Sequence, residues 1–505
     1  MSLELYSKKD VELLSNHIDD IIKRATKKQM TLIEPFEDEI RKVSSIILRF
    51  IRDNKRKIYG GFALNLLIID KNPGEAIYSD YDIPDIDFYS PDPLRDLVQL
   101  CNILHQNGLK NVMGREALHK ETYNIRVGSQ LYCDISYVPR NIYNKMPYRE
   151  VERYDPVSKQ TLKLTVIGPE FMMIDYYRMF TDMIVSSWRL EKSFKRFYLL
   201  QRYYPLPYVK NSINVPAPND AIENVKILLD VIFNFMQENN TVVTIGFYAY
   251  NQFLKNSEIL ESDDPGAKKF KLLEIPYYEF ITTEYKKDGL ALIDLIKSRY
   301  PEFAQDIHVT EHYPFSQYLG HFAYIYYRKT LLAKIFTNNK RCVPFITVQA
   351  DNNKKIDIGS FGTVLLYSLI GVMKARVDND QSNKALNYAI ISHLVEMRNF
   401  YLETSRKTIF DNTVFQEFII ECKGIPITPE HERQLIIEYR KRKNKKFIFS
   451  YDPSQDNRAD INYVFANSSG NPIQNFKNLK LVPDGADEND IYDGEEAEDT
   501  NVSIE

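Results

Sequence analysis

The chain carries one Trp and four Cys among its 505 residues. Cys101, Cys133, Cys342 and Cys422 include no CxxC pair, which argues against a structural zinc site. They do not resemble a disulfide framework, and a reducing compartment suits them. No uninterrupted apolar run is long enough to cross a bilayer, so no membrane partner is expected. The opening MSLELYSKKD lacks an apolar stretch after its charges, so no signal peptide is expected. No Walker A loop, G-x-S-x-G elbow or kinase motif occurs, and the eight His form no metal-like cluster.

What is present is an ordinary globular composition, 44% hydrophobic and 27% charged, long enough for two or three domains. Tyr and Phe are abundant, at 35 and 28. Such rings can stack on bases, but they fill cores more often. The net charge of −4 misleads, because residues 484–505 hold ten acidic and no basic side chains. The remainder has 65 basic against 59 acidic groups, a balance of about +6 that suits a polyanion. The tail after about residue 452 is polar, Asn-rich and then acidic, and reads as disordered.

Residues 3–53 read as helical, with Leu13, Leu14, Ile18, Ile21 and Ile22 at helical spacing and a second stripe at Ile40, Val43, Ile46, Ile47 and Phe50. Ile86 to Tyr89 reads as a strand, Leu94 to Leu104 as a helix, residues 123–138 as a hairpin, and Gly168-Pro169 as the opening of a long helix. Three blocks then recur in order. IYGGFALN at 58–65 matches TIGFYAYN at 244–251. IPDIDFYSPDPLRDLVQL at 83–100 matches IPYYEFITTEYKKDGLAL at 275–292. VIGPEFMMIDYY at 166–177 matches DIGSFGTVLLYS at 357–368. One order at nearly one offset points to duplication of an α/β unit.

The chemistry-bearing pattern is Gly60-Gly61, then Asp85-Ile86-Asp87, then Asp134. Two glycines let a phosphate approach backbone N–H groups, and a helix starting after them adds its positive end. On a strand, positions i and i+2 share a face, so Asp85 and Asp87 present paired carboxylates. Such a pair can hold two hard divalent ions, Mg²⁺ or Mn²⁺. Asp134 sits among Leu131, Tyr132, Cys133 and Ile135, where a charge is costly unless paired or metal-bound. Asp80 and Asp82 are rivals for the pair. Pro84 favours a strand that begins after it, leaving them in a loop.

This pattern resembles the nucleotidyltransferase superfamily of DNA polymerase β type, and most specifically the poly(A) polymerase catalytic subunits of poxviruses and giant cytoplasmic DNA viruses. The likeness is clearest over residues 58–205. It implies an α+β fold, a mixed sheet flanked by helices, present as an active and a degenerate copy after a helical N-terminal segment. It implies that Asp85 and Asp87 hold both metals, that Asp134 holds the metal nearest an RNA 3′ hydroxyl, and that Gly60 and Gly61 line the triphosphate site of ATP. The reaction implied is template-independent addition of AMP to RNA, hence mRNA polyadenylation in the host cytoplasm or viral factory, with the virion a further location. The Tyr-rich faces and duplicated architecture leave apolar surface for a homodimer to cover, while the resemblance implies a methyltransferase-type processivity subunit as the other partner.

Two basic stretches are weaker candidates. Lys192, Lys195 and Arg196, on a helix expected after the catalytic sheet, suit the β,γ-phosphates or a plain basic face. Arg440, Lys441, Arg442 and Lys443 suit RNA phosphates or a solvated helix end. In the second copy Tyr277, Glu279 and Phe247 replace Asp85, Asp87 and Gly61, and its third ligand is sought in vain between Lys340 and Gln349. The expected organisation is a helical region at 1–57, a catalytic domain at 58–210, a degenerate copy at 211–451 and a tail at 452–505. The alternatives are addition of UMP or CCA, AMP transfer to a small molecule, and a non-catalytic RNA-binding scaffold.

Overall fold

The computed structural model describes residues 7–33, 37–78, 84–128, 130–209, 213–442 and 450–455. Asp80, Asp82, Lys443 and the acidic tail lie outside that set. The described residues of Met1–Tyr137, Tyr148–Ile167 and Lys445–Leu479 form one compact unit, and those of Val138–Pro147 and Gly168–Asn444 form another.

In the first unit, helix α1 (Lys8–Ile33) is followed by α2 (Glu37–Asp53). On α2, Val43, Ile46, Ile47, Phe50 and Ile51 recur at the period that puts them on one face, and all are buried. The stripe on α1 is different: Leu13, Leu14, Ile18, Ile21 and Ile22 are all exposed. Helical spacing was legible there, but it did not mark a core face.

Strand β1 (Lys57–Ile58) leads into α3 (Gly60–Lys71), and β2 (Phe88–Ser90) into α4 (Pro93–Gln106). Then come β3 (Val112–Glu116), β4 (Thr122–Val127), β5 (Gln130–Tyr137), β6 (Tyr148–Asp155) and β7 (Gln160–Ile167). The sheet runs Ser450–Tyr451, β3, β4, β5, β2, β1, β7, β6. Strands β2 and β5, and β1 and β7, are parallel, while β1–β2, β3–β4, β4–β5 and β6–β7 are antiparallel.

The second unit contains α5 (Arg140–Lys145), α6 (Pro169–Phe180), α7 (Met183–Ser186), α8 (Leu190–Tyr203), α9 (Ile222–Glu238), β8 (Val242–Ile245), α10 (Gly246–Lys255), β9 (Tyr278–Thr282) and α11 (Tyr285–Arg299). It continues through β10 (Ile307–His312), β11 (Phe322–Tyr327), β12 (Thr330–Thr337), β13 (Val343–Gln349), β14 (Lys355–Gly359), α12 (Phe361–Val377), α13 (Gln381–Thr404), β15 (Cys422–Lys423) and α14 (Pro429–Arg442). Its sheet order is β10, β11, β12, β9, β8, β14, β13, β15.

Laid beside the first sheet, β10 to β14 repeat β3 to β7, while β8 and β9 repeat β1 and β2. The directions agree as well: β9–β12 and β8–β14 are parallel, the other corresponding pairs antiparallel. The polar core repeats too. Asp96 in the first turn of α4 and Asp288 in the first turn of α11 are both buried. Asp96 is held by Arg56, and Asp288 by Asn239, Thr241 and Thr282. The fold is therefore a duplicated α+β unit.

The expectation of no disulfide is corrected. Cys342 and Cys422 are bonded, with Cα atoms 5.3 Å apart. Their separation of 80 residues hides the pair from any spacing rule. The β13–β15 pairing, which sets Pro344 opposite Cys422, brings them together. Cys101 and Cys133 are free and buried.

Candidate active site

Strand β1 ends one residue before a tight turn into α3. Gly60 has φ +72°, a left-handed backbone that penalises any side chain. A Cβ at Gly60 would also stand 2.9 Å from Asp87 Oδ2. Glycine is thus required twice over, by conformation and by the approach of a carboxylate. Gly61 follows within the helix. The N-cap residue Tyr59 makes no side-chain cap bond, so the start of α3 can present N–H groups to an anion.

Asp85 and Asp87 flank the buried Ile86, so the two carboxylates share the face opposite the core. They precede the regular part of β2, yet their backbone is already paired. The Tyr59 N–H donates to the Asp87 carbonyl at 2.9 Å, and the Ile86 N–H to the Tyr132 carbonyl at 2.9 Å. The β2–β5 register sets Phe88 beside Ile135, which brings Asp134 next to Asp87. The Asp134 backbone N–H donates to the Asp87 carboxylate. The structure therefore gathers Asp85, Asp87, Asp134 and Gly60 in one place, with Gly61 at the adjoining helix start.

The electrostatics are those of crowded carboxylates. Burial, then the charges of Asp134 and Asp85, push Asp87 up to about 8. Burial and Asp85 push Asp134 up to about 6, against a lowering by Arg126. Asp134 Oδ1 is buried and has no hydrogen-bond partner among the described residues. Among the described residues, no three Asp, Glu, Cys or His side chains are already grouped closely enough to hold a metal ion. An orphaned oxygen and mutually repelling carboxylates nevertheless fit a hard divalent cation, which would neutralise the repulsion and satisfy the oxygen.

Sequence reading missed the layer beneath. The Tyr59 hydroxyl lies 2.8 Å from Ser136 Oγ, which lies 2.9 Å from Thr122 Oγ1. The Tyr59 ring stacks on Tyr89 with centroids 4.1 Å apart. Burial, then the Asp87 charge, push the Tyr59 hydroxyl well above its ordinary range, so it stays a proton donor. The signal was present: Tyr59 precedes the glycine turn, and Ser136 is two residues from Asp134 on the same strand face.

The basic candidates belong to the second unit. Lys192, Lys195 and Arg196 are on α8 of the second unit, and Lys195 pairs with Glu191 at 2.7 Å. Arg440, Lys441 and Arg442 end α14, with Lys441 and Arg442 exposed.

Comparison with known proteins decides the family. Residues 45–186 match the family model described as "Poly(A) polymerase catalytic subunit", and residues 200–482 match "APMV, Putative poly(A) polymerase, catalytic subunit, C-terminal". A protein of Acanthamoeba polyphaga mimivirus named "Putative poly(A) polymerase catalytic subunit" is 31% identical, over 98% of this chain and 87% of its own. A protein of the same name from African swine fever virus, strain Badajoz 1971 Vero-adapted, is 29% identical over 34% of this chain and 35% of its own. The crystal structure of the Megavirus polyadenylate synthase superposes with a TM-score of 0.79 at 31% identity, over 95% of this chain and 91% of that one.

The chain belongs to the poly(A) polymerase catalytic-subunit family. It is a nucleotidyltransferase of a giant virus that polyadenylates RNA.

The polymerase's second unit keeps the scaffold of this site and replaces its chemistry. Gly246 repeats Gly60, with φ +65°, and a Cβ on it would collide with the Glu279 carboxylate. Glu279 thus repeats Asp87, and Tyr277 repeats Asp85. The third position needs a correction. It does not fall between Lys340 and Gln349. The pairs Phe88–Ile135 and Phe280–Ile335 are equivalent, so Lys334 is the counterpart of Asp134. The chain between second and third positions is longer in the second copy, 55 residues from Glu279 to Lys334 against 47 from Asp87 to Asp134. The offset that carries Asp87 to Glu279 therefore falls short of Lys334, and the stretch from Lys340 to Gln349 lies beyond it.

Lys334 Nζ lies 2.9 Å from Glu279 Oε1 and 3.2 Å from the Tyr277 hydroxyl. Burial alone would lower its pKa, but Glu279, Tyr277 and Tyr324 raise it well above the ordinary range. A permanent ammonium therefore stands where the active copy has a carboxylate.

Proposed function

We propose that the first unit transfers AMP from ATP to the 3′ end of RNA at Asp85, Asp87 and Asp134, and that the second unit is a non-catalytic copy. The observation that carries this reading is the contrast at one strand position, an orphaned carboxylate oxygen at Asp134 against an ion-paired Lys334.

Asp85 and Asp87 would hold two divalent ions, Mg²⁺ or Mn²⁺, and Asp134 the one beside the RNA 3′ hydroxyl. When bound, these ions supply charge neutralisation at the attacking and leaving oxygens and lower the hydroxyl's pKa. The protein's own part is positioning. The glycine turn and the start of α3 receive the triphosphate through backbone N–H groups. Asp134 stands at the attacking hydroxyl and accepts its proton as the oxygen–phosphorus bond forms. Tyr59 and Ser136 fix the floor beneath Asp87 and Asp134. The 3′ oxygen attacks the α-phosphorus in line, and pyrophosphate leaves.

Lys192, Lys195 and Arg196 are assigned to phosphate contacts, and Arg440 to Lys443 to the RNA backbone. The exposed apolar stripe of α1 supports self-association as a homodimer, with a methyltransferase-type subunit as the other partner class, and the site of action is the host cytoplasm.

The test is extension of end-labelled RNA with each nucleoside triphosphate supplied separately. ATP alone gives a ladder with release of one pyrophosphate per step. A preference for UTP or CTP contradicts the adenylyl assignment, and so does AMP transfer confined to a small acceptor.

A further inference from the structure

The second unit contains a cavity of about 480 Å³ at the counterpart of the catalytic site, between Gly246, Glu279, Lys334 and the face of α13 that bears Asn383 and Asn387. That volume lies in the range of small-ligand sites. Duplication explains why a cleft exists at this point of the sheet. It does not explain why the cleft stayed open with Tyr277 and Lys334 in place of two of the three carboxylates.

The polar groups around the cavity define what it can take. Glu279 lies against the Gly246 turn, where a triphosphate would have to approach the backbone. Lys334 is engaged by Glu279, and Lys374 pairs with Asp378 at 2.7 Å. The charges at the cleft therefore largely cancel, and no metal-binding carboxylate set remains to neutralise a polyphosphate. What the cavity offers instead is tyrosine rings and amides. Tyr277, Tyr324, Tyr326, Asn383 and Asn387 all line it, with the Lys334 ammonium over the Tyr277 and Tyr324 rings. The Asn383 amide donates to Asp380 and the Asn387 amide to the Asn383 carbonyl, so what the two asparagines bring to a base edge is their amide oxygens. Rings with a polar rim opposite carboxamides are the elements that hold an unstacked base by its face and its edge.

We propose that this cavity binds one nucleotide unit, base and sugar with at most one phosphate, without a metal ion. The unit comes either from free AMP or from a residue of the RNA strand. The inference concerns the second unit alone and does not depend on which residues of the first unit carry catalysis.

Equilibrium dialysis of the full-length protein with radiolabelled AMP in excess chelator tests it. One equivalent of AMP binds, and Asp87→Asn leaves that binding unchanged. Asn383→Trp, an exposed position whose indole would enter the cavity, weakens it by at least about tenfold. Tyr326→Ala has the same effect and covers the case in which the tryptophan variant does not fold. Competition by a 3′-blocked oligo(A) at lower concentration than AMP assigns the site to RNA, and the reverse order assigns it to the free nucleotide. Absence of metal-free binding of both AMP and oligo(A) overturns the proposal. So does equal competition by ribose 5-phosphate, or binding lost in Asp87→Asn and kept in Asn383→Trp.

Discussion

Lys334 stands on β12 where Asp134 stands on β5, and its ammonium meets the Glu279 carboxylate that repeats Asp87. The second copy carries within its own chain the positive charge that, on the proposed function, the first copy takes from a bound cation. Both members of the pair are largely buried, with side chains 18% and 16% exposed.

Breaking that pair strands a buried charge. Lys334→Met should destabilise the second unit by about 3–5 kcal/mol, whereas the double variant Lys334→Met, Glu279→Gln should recover most of the loss. Urea unfolding followed by circular dichroism measures both. Equal stability of the single variant and the wild type would remove the pair from the account.

The two glycines of the turn should respond differently. Gly60→Ala places a side chain on a left-handed backbone, costing about 1–2 kcal/mol, and pushes it against Asp87. RNA extension should fall by more than the stability change explains. Gly61→Ala, within the helix, should cost less on both counts. Steady-state kinetics for ATP alongside thermal denaturation separates them, and a larger effect at Gly61 would contradict the assignment.

Much of this was legible in the sequence because it is local. Gly60, Asp85, Asp87 and Asp134 each sit in a strand or turn whose pattern shows at short range, and the repeat at 244–251 and 275–292 carried the duplication. What stayed hidden depends on register or on distance. Lys334 is recognised only through its partner Glu279 across two strands. The Cys342–Cys422 bond joins segments 80 residues apart. The stripe on α1 has core spacing but faces outward, since periodicity reports helix geometry and not what covers the face.

Asp155 gives an acid-dependent prediction. Its carboxylate accepts from Ser45 Oγ at 2.6 Å, tying α2 to β6, and from the Ser158 hydroxyl and the Val157 and Ser158 N–H groups. Burial opposes these bonds, but together they lower its pKa. A lowered folded-state value contributes stability above the unfolded value of about 3.9, and that contribution is lost as pH falls through the folded value. Asp155→Ala should therefore cost about 1–3 kcal/mol at neutral pH and progressively less below about pH 4. A pH-independent difference would show that packing, not the charge, is responsible.

The disulfide closes a long loop, so its loss should matter. Cys342→Ser should destabilise the second unit by about 2–4 kcal/mol under oxidising conditions. With dithiothreitol present, variant and wild type should unfold together. A difference that persists under reduction would mean that the serine perturbs packing and that the bond itself contributes nothing.

The central claim is that one carboxylate set does all the chemistry. Single-turnover extension of labelled RNA by Asp87→Asn, with saturating ATP and Mg²⁺, tests it most directly. The account predicts a fall of at least about 10³-fold, with RNA affinity nearly unchanged, while the double variant Lys334→Met, Glu279→Gln, which leaves no buried charge unpaired, extends RNA at close to the normal rate. Extension by Asp87→Asn at an undiminished rate, or its loss only in a folded Lys334→Met, Glu279→Gln variant, would contradict the account and move the reaction out of the first unit.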